Sequence, residues 1–148
     1  MKGWLLDTNV VAELARRTPD PRVTAWAGSV EETALYISVL VLAEYDKGIA
    51  AVPAHAPERL RYEADVAALE ARFAGRVLTL TNAIVRRWGR VSGTIKRTTG
   101  LSPPVVDTLM AATAIEHDLY LATRNVKDVA DSGARVFNPW IDGPALLT

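Results

Sequence analysis

Two rhythms of apolar residues alternate along this chain. Short unbroken runs, "GWLLD", Leu35 to Ser38, "RVLTL", "LYLAT" and "RVFN", have the length and composition of buried strands. Between them, apolar residues recur every third or fourth position, the spacing of a helix face. "GWLLD" passes into "TNVVAELARR", where Val10, Val11 and Leu14 share a side, so the start reads as strand, tight turn and helix. The plan repeats at Leu35: a strand, Ser38 as helix cap, then a helix carrying Leu42, Ala43 and Glu44. An amphipathic helix begins near Pro57 and is stopped by Gly75. Asn82 to Lys96 predicts the next helix, disturbed at Ser92 and Gly93. Ser102, Pro103 and Pro104 open another, which keeps its apolar spacing to Ile115 and closes at His117 and Asp118. Strands alternating with helices over the whole length predict an α/β fold with a parallel sheet covered on both faces.

At 148 residues and 49% hydrophobic content the chain suits one core, so a single domain over 1–148 is expected. No apolar stretch approaches the ~20 residues of a membrane span, and the start carries no signal-peptide pattern. A soluble, cytoplasmic protein with no membrane partner is the expectation. There is no cysteine, which excludes disulfides, thiolate metal sites and a cysteine nucleophile. Any metal must sit on oxygen or imidazole. The 17 basic and 17 acidic residues cancel, so a polyanionic partner needs a local patch. Arg86, Arg87, Arg90, Lys96 and Arg97 form one candidate run, equally readable as a solvated helix face. No phosphate-binding loop or dinucleotide fingerprint occurs. His55 and His117 are far apart and share no motif; His117 reads as a helix terminus.

In parallel α/β sheets the functional crevice lies at the carboxyl ends of the strands. That rule gathers the acids. Asp7 ends the first strand, Asn125 and Asp128 follow the fourth, and Glu44 and Asp107 lie early in helices. Each has a structural alternative: Asp7 as an Asx turn or cap, Glu44 paired with Lys47, Asn125 and Asp128 as turn residues. Asp107 can serve the helix dipole, yet it shares its side with Met110, Ala111 and Ala114 and has no basic residue at helical spacing. A carboxylate on a packing face without a cation is costly, and a bound metal removes the cost. Carboxylates meeting at one edge repel each other and favour a divalent ion; an all-oxygen set suits Mg²⁺ or Mn²⁺. The chemistry that follows is phosphodiester hydrolysis. Arg124 and Lys127, with Arg86 and Arg90, are candidate phosphate contacts.

"LLDTNVVAEL", "ISVLVLAEYDKGI", "FAGRVLTL", "PPVVDTLMAATAIEHDLYLATRNVKD" and "VFNPW", in that order over nearly the whole chain, resemble the PIN-domain ribonucleases and, among them, the VapC toxins of toxin–antitoxin pairs. The resemblance implies a three-layer α/β/α sandwich, an acidic pocket for Mg²⁺ or Mn²⁺ and cleavage of RNA. It matches Asp7, Glu44 and Asp107 to the family's first three acids, and Thr8 and Asn9 to polar positions that orient ligands and water. Where many members carry a fourth acid this chain has Asn125, so Asn125 or Asp128 completes the shell. "AEYDKG" also departs from the more usual "AELRRG". A homodimer is implied, silenced by a cognate VapB-type antitoxin in a hetero-oligomer. Two other readings stay open: a catalytically impaired module that binds RNA or protein, and a HAD-type phosphatase with Asp7 as nucleophile, in which Asn9 stands where the acid is needed.

Overall fold

The computed structural model describes residues 3–143, so both ends of the expected 1–148 span lie outside it. Five parallel strands form the sheet, in the order β3-β2-β1-β4-β5: β1 (Trp4–Leu6), β2 (Leu35–Ser38), β3 (Val77–Leu78), β4 (Tyr120–Ala122) and β5 (Val136–Phe137). The helices are α1 (Thr8–Leu14), α2 (Pro21–Ser29), α3 (Val39–Ala51), α4 (Pro57–Arg72), α5 (Asn82–Thr99), α6 (Val105–Glu116) and α7 (Val126–Val129). Successive strands step outward from β1 to β3, then cross to β4 and β5. Right-handed crossovers therefore lay α1 to α4 on one face and α5 to α7 on the other, the expected three-layer sandwich.

The strands are short and buried because both faces are covered. Leu5, Leu6, Leu35, Ile37, Leu121 and Ala122 are wholly excluded from solvent. Trp26 of α2 meets Trp4 edge-on at 5.9 Å and Phe137 at 5.2 Å, which fastens that helix across the sheet. Burial of such a ring is worth roughly 1.5–3 kcal/mol in transfer free energy.

Three local expectations change. Asn82–Thr99 is one unbroken helix: Ser92 and Gly93 do not disturb it, and it ends at Gly100, whose φ of 81° only glycine adopts cheaply. The strand read into "RVLTL" shrinks to Val77–Leu78. The helix α2 was not anticipated. Its cues are Asp20, which accepts from the Arg22 amide at 2.9 Å, and Pro21 in the first turn, but only Val23 and Trp26 are buried. Among the described residues no helix is long and apolar enough to cross a membrane.

Candidate active site

β1 and β4 are neighbours from which the chain departs in opposite directions, the topological switch point where a crevice opens at the strand ends. Asp7 and Thr123 are the residues that follow these two strands. The Asp7 amide donates to the Ala122 carbonyl at 2.9 Å, extending the ladder by one step. Its carboxylate is 7% exposed. Oδ1 accepts from the Thr8 amide at 2.8 Å, capping α1, and Oδ2 accepts from the Thr123 hydroxyl at 2.7 Å and from Asn9 Nδ2 at 3.3 Å. Asn9 also donates to Thr123 Oγ1 at 3.1 Å and accepts from the Arg124 amide at 3.2 Å. Asp7 is thus the helix cap of its structural reading and also the centre of a polar network.

Glu44 and Asp107 reach the same edge. Burial of its inner side raises the Glu44 carboxyl pKa, and the charges of Asp7 and Asp107 raise it further, while the Thr8 hydroxyl and Lys47 lower it. Lys47 acts at a distance: no Glu44–Lys47 ion pair forms. For Asp107, half-buried beside wholly buried Met110 and Ala111, burial again raises the pKa first, followed by the charges of Asp7 and Asp128. The charge of Asp7 thus acts on both Glu44 and Asp107, and that of Asp107 on Glu44. The Thr8 hydroxyl is buried and faces Glu44, whose pKa it lowers, although it makes no hydrogen bond of ordinary geometry.

The donors suit a hard cation in a particular way. Among the described residues no three acid or histidine side chains close on one point at ligating separation. A closed protein cage is therefore not what the edge offers. It offers one or two carboxylates at a time, the arrangement Mg²⁺ accepts when water and substrate phosphate fill the rest of its shell. The buried Thr8 hydroxyl is a further oxygen for such a shell of water.

The remaining candidates separate. Asn125 is exposed, and its amide donates to Thr123 Oγ1 at 3.0 Å while its side chain caps nothing. Asp128, on α7, is exposed but near enough to act on Asp107. Arg124 lies over the Trp140 ring at 5.0 Å, and Lys127 is exposed on α7. Arg86 and Arg90 are exposed on α5, whose neighbouring Arg87 pairs with Glu116. Glu116 lies nine residues beyond Asp107 on α6, roughly 13 Å along the helix, so this end of α5 is at the opposite edge of the sheet. Thr123 was missed in the sequence. Its signal is a polar residue closing "LYLAT", the same position relative to β4 that Asp7 holds relative to β1.

Comparison with known proteins shows the family and the fold. Residues 4–129 match the family model described as PIN domain. The chain is 33% identical over 138 residues to Toxin FitB of Neisseria gonorrhoeae, covering 93% of this chain and 99% of that one. To VapC ribonuclease Y4jK of Sinorhizobium fredii it is 35% identical over 139 residues, covering 92% and 96%. The crystal structure of FitAcB from N. gonorrhoeae superposes with a TM-score of 0.80 at 31% identity, over 93% of this chain and 99% of that one.

Proposed function

This chain belongs to the PIN domain family, and from that premise we propose that it is a Mg²⁺- or Mn²⁺-dependent endoribonuclease acting as the toxin of a toxin–antitoxin pair. What supports the proposal most is that Glu44 and Asp107, on two helices far apart in sequence, both lie within reach of the charge of Asp7 at the end of β1.

Asp7, Glu44 and Asp107 would share the ion through direct and water-mediated contacts, with Asp128 or Asn125 completing the set. A divalent ion bound there supplies Lewis acidity towards a phosphate oxygen and offsets the developing charge. Thr123 and Asn9 fix the Asp7 carboxylate, so its oxygens are aimed before substrate arrives. The Thr8 hydroxyl, beside Glu44, would orient the attacking water. Attack at phosphorus expels the 3′ oxygen and leaves a 5′-phosphate, with no covalent enzyme intermediate. The similarity to a protein named as a toxin and to another named as a VapC ribonuclease supports the biological role. Its partners are then a VapB-type antitoxin and a second copy of the chain.

Asn125, standing in place of a fourth acid, supports the second reading, an impaired module that binds RNA without cutting it. A phosphatase using Asp7 as nucleophile finds less support, because Asn9 is a brace bonded to Asp7, Thr123 and Arg124. The deciding experiment is cleavage of end-labelled total RNA by the purified chain, freed of any partner, with Mg²⁺, Mn²⁺ or EDTA. Metal-dependent cutting that disappears in a folded Asp7→Asn variant is the expected result. No cutting with either metal moves the chain to the binding-module reading.

A further inference from the structure

An acidic edge repels the polyanion it is meant to cut, and this chain has no net charge to draw one in. Arg86 lies beside the Glu116-bound Arg87, away from Asp107. Arg124 and Lys127 flank the end of β4, and a further surface beside Thr8 and Glu44 adds more cations.

A groove of about 660 Å³ runs from the acidic edge between α1, α3 and α4, and Thr8 and Glu44 belong to its lining. Its space comes from small residues: Ala12 on α1 and Gly48 on α3. The Tyr62 ring of α4 faces Gly48 at contact distance, a Cβ there standing 3.6 Å from it, and forms one wall of the groove. The Arg61 guanidinium lies 5.6 Å from the centre of that ring. Arg17, at the far end of α1, is exposed and forms no salt bridge among the described residues.

Flat aromatic faces beside cations, continuous with a phosphodiester-cleaving edge, match the way unpaired nucleic acid is held: phosphates on guanidinium groups, bases on rings. We propose that this groove seats the single-stranded RNA next to the scissile bond, with Arg17 and Arg61 on its phosphates and Tyr62 stacking on a base. The proposal rests on the nuclease reading above. Two features favour RNA: Arg17 and Arg61 form no salt bridge among the described residues, and Glu44 belongs to the groove as well as to the acidic edge, so an occupant of the groove lies beside the acids.

The test measures fluorescence anisotropy of a short fluorescein-labelled single-stranded oligoribonucleotide of mixed sequence, in the Asp7→Asn background so that the probe survives. Tyr62→Leu is expected to weaken binding roughly tenfold or more. Arg17→Gln and Arg61→Gln are expected each to weaken it and to flatten the slope of log affinity against log salt by about 0.7. Arg59→Gln, on the same helix but paired with Glu63 at 3.2 Å, serves as the unaffected control. Thermal melts confirm folding, and the salt slope reports phosphate contacts that a merely structural change does not touch. Unchanged affinity and slope in the Arg17→Gln/Arg61→Gln double variant overturn the proposal. So does RNA binding that survives while the double variant no longer retains a co-expressed antitoxin, which assigns the groove to a protein partner. If the unmodified chain cuts RNA and the groove variants cut equally well, the groove proposal fails and the nuclease reading stands. If the unmodified chain neither binds nor cuts, both fall.

Discussion

The Thr123 hydroxyl donates to Asp7 Oδ2 at 2.7 Å and so ties the end of β4 to the end of β1 at the centre of the sheet. The same oxygen accepts from Asn9 Nδ2 and from the Asn125 amide, so one buried atom serves three partners. Thr123→Val preserves the shape and removes all three bonds. Leaving those groups unpaired costs about 1–3 kcal/mol of stability. Loss of a residue that orients a ligand lowers activity roughly 10–100-fold. Urea denaturation and RNA cleavage rates check the two effects separately, and Thr123→Ser restores most of both. A valine variant that cuts at the unmodified rate removes Thr123 from the machinery.

Acid crowding gives the metal-free protein a pH signature. Folding raises the pKa of Asp107 above its ordinary 3.8, and that of Glu44 above 4.5. The folded chain therefore binds protons more tightly than the unfolded one in that window, and stability falls as pH rises from the ordinary carboxylate values through the raised ones. In EDTA, Asp107→Asn is expected to gain on the unmodified chain as pH increases across that range, then hold its advantage at neutral pH. Mg²⁺ reverses the order. An ion bound only by the folded form stabilises it by about 2.7 kcal/mol at a hundredfold excess over Kd, and the variant loses part of that gain. Thermal melts across pH, with and without Mg²⁺, read both effects; parallel curves for the two proteins contradict the account.

The sheet and the acids could be read from the sequence for the same reason. Strands buried on both faces leave unbroken apolar runs, and a run that ends in a polar residue marks the strand end where a crevice opens. Asp7 was visible on that basis, and Glu44 and Asp107 became visible as charges set on apolar helices. Thr123 obeyed the rule as well, but a threonine is an ordinary strand residue and carries no charge to draw notice. The helix α2 was hidden because its buried residues, Val23 and Trp26, are too few to show a period. The groove could not be read at all, since Arg17 and Tyr62 are brought near one another only by the packing of α4 beside α1 and α3.

Another constraint invisible in the sequence is the glycine just before β1. A Cβ on Gly3 would stand 2.1 Å from the Ala34 carbonyl oxygen, a backbone atom that cannot swing aside. The Gly3 carbonyl is itself held, accepting from the Tyr120 amide at 3.0 Å. Gly3→Ala therefore has to push β1 away from the segment leading into β2, at a cost of about 1–3 kcal/mol or more. Urea denaturation should show the loss, while the cleavage rate per folded molecule changes little. Stability within about 0.5 kcal/mol of the unmodified chain, the usual surface range, would mean that this approach is not tight in solution.

The fourth position of the acidic set separates Asn125 from Asp128. Asn125 has the expected place in sequence, but its amide is committed to Thr123 and its exposed side chain makes no hydrogen bond. Asp128 sits one short helical turn further, on α7, where its charge is felt by Asp107. The charge of Asp128 reaches Asp107, so if Asp128 acts through the ion's water, Asp128→Asn should slow cleavage roughly tenfold, at the low end of effects for groups around a metal. Asn125→Ala should change the rate less than twofold on the same reasoning. Asn125→Asp adds a fifth carboxylate to the edge: it should lower the stability of the metal-free chain through like-charge repulsion and tighten its hold on Mn²⁺. Cleavage rates and metal titrations of the three variants decide between the two residues. If Asn125→Ala proves the more damaging, its side-chain carbonyl is the ligand, and the charge of Asp128 acts only through Asp107.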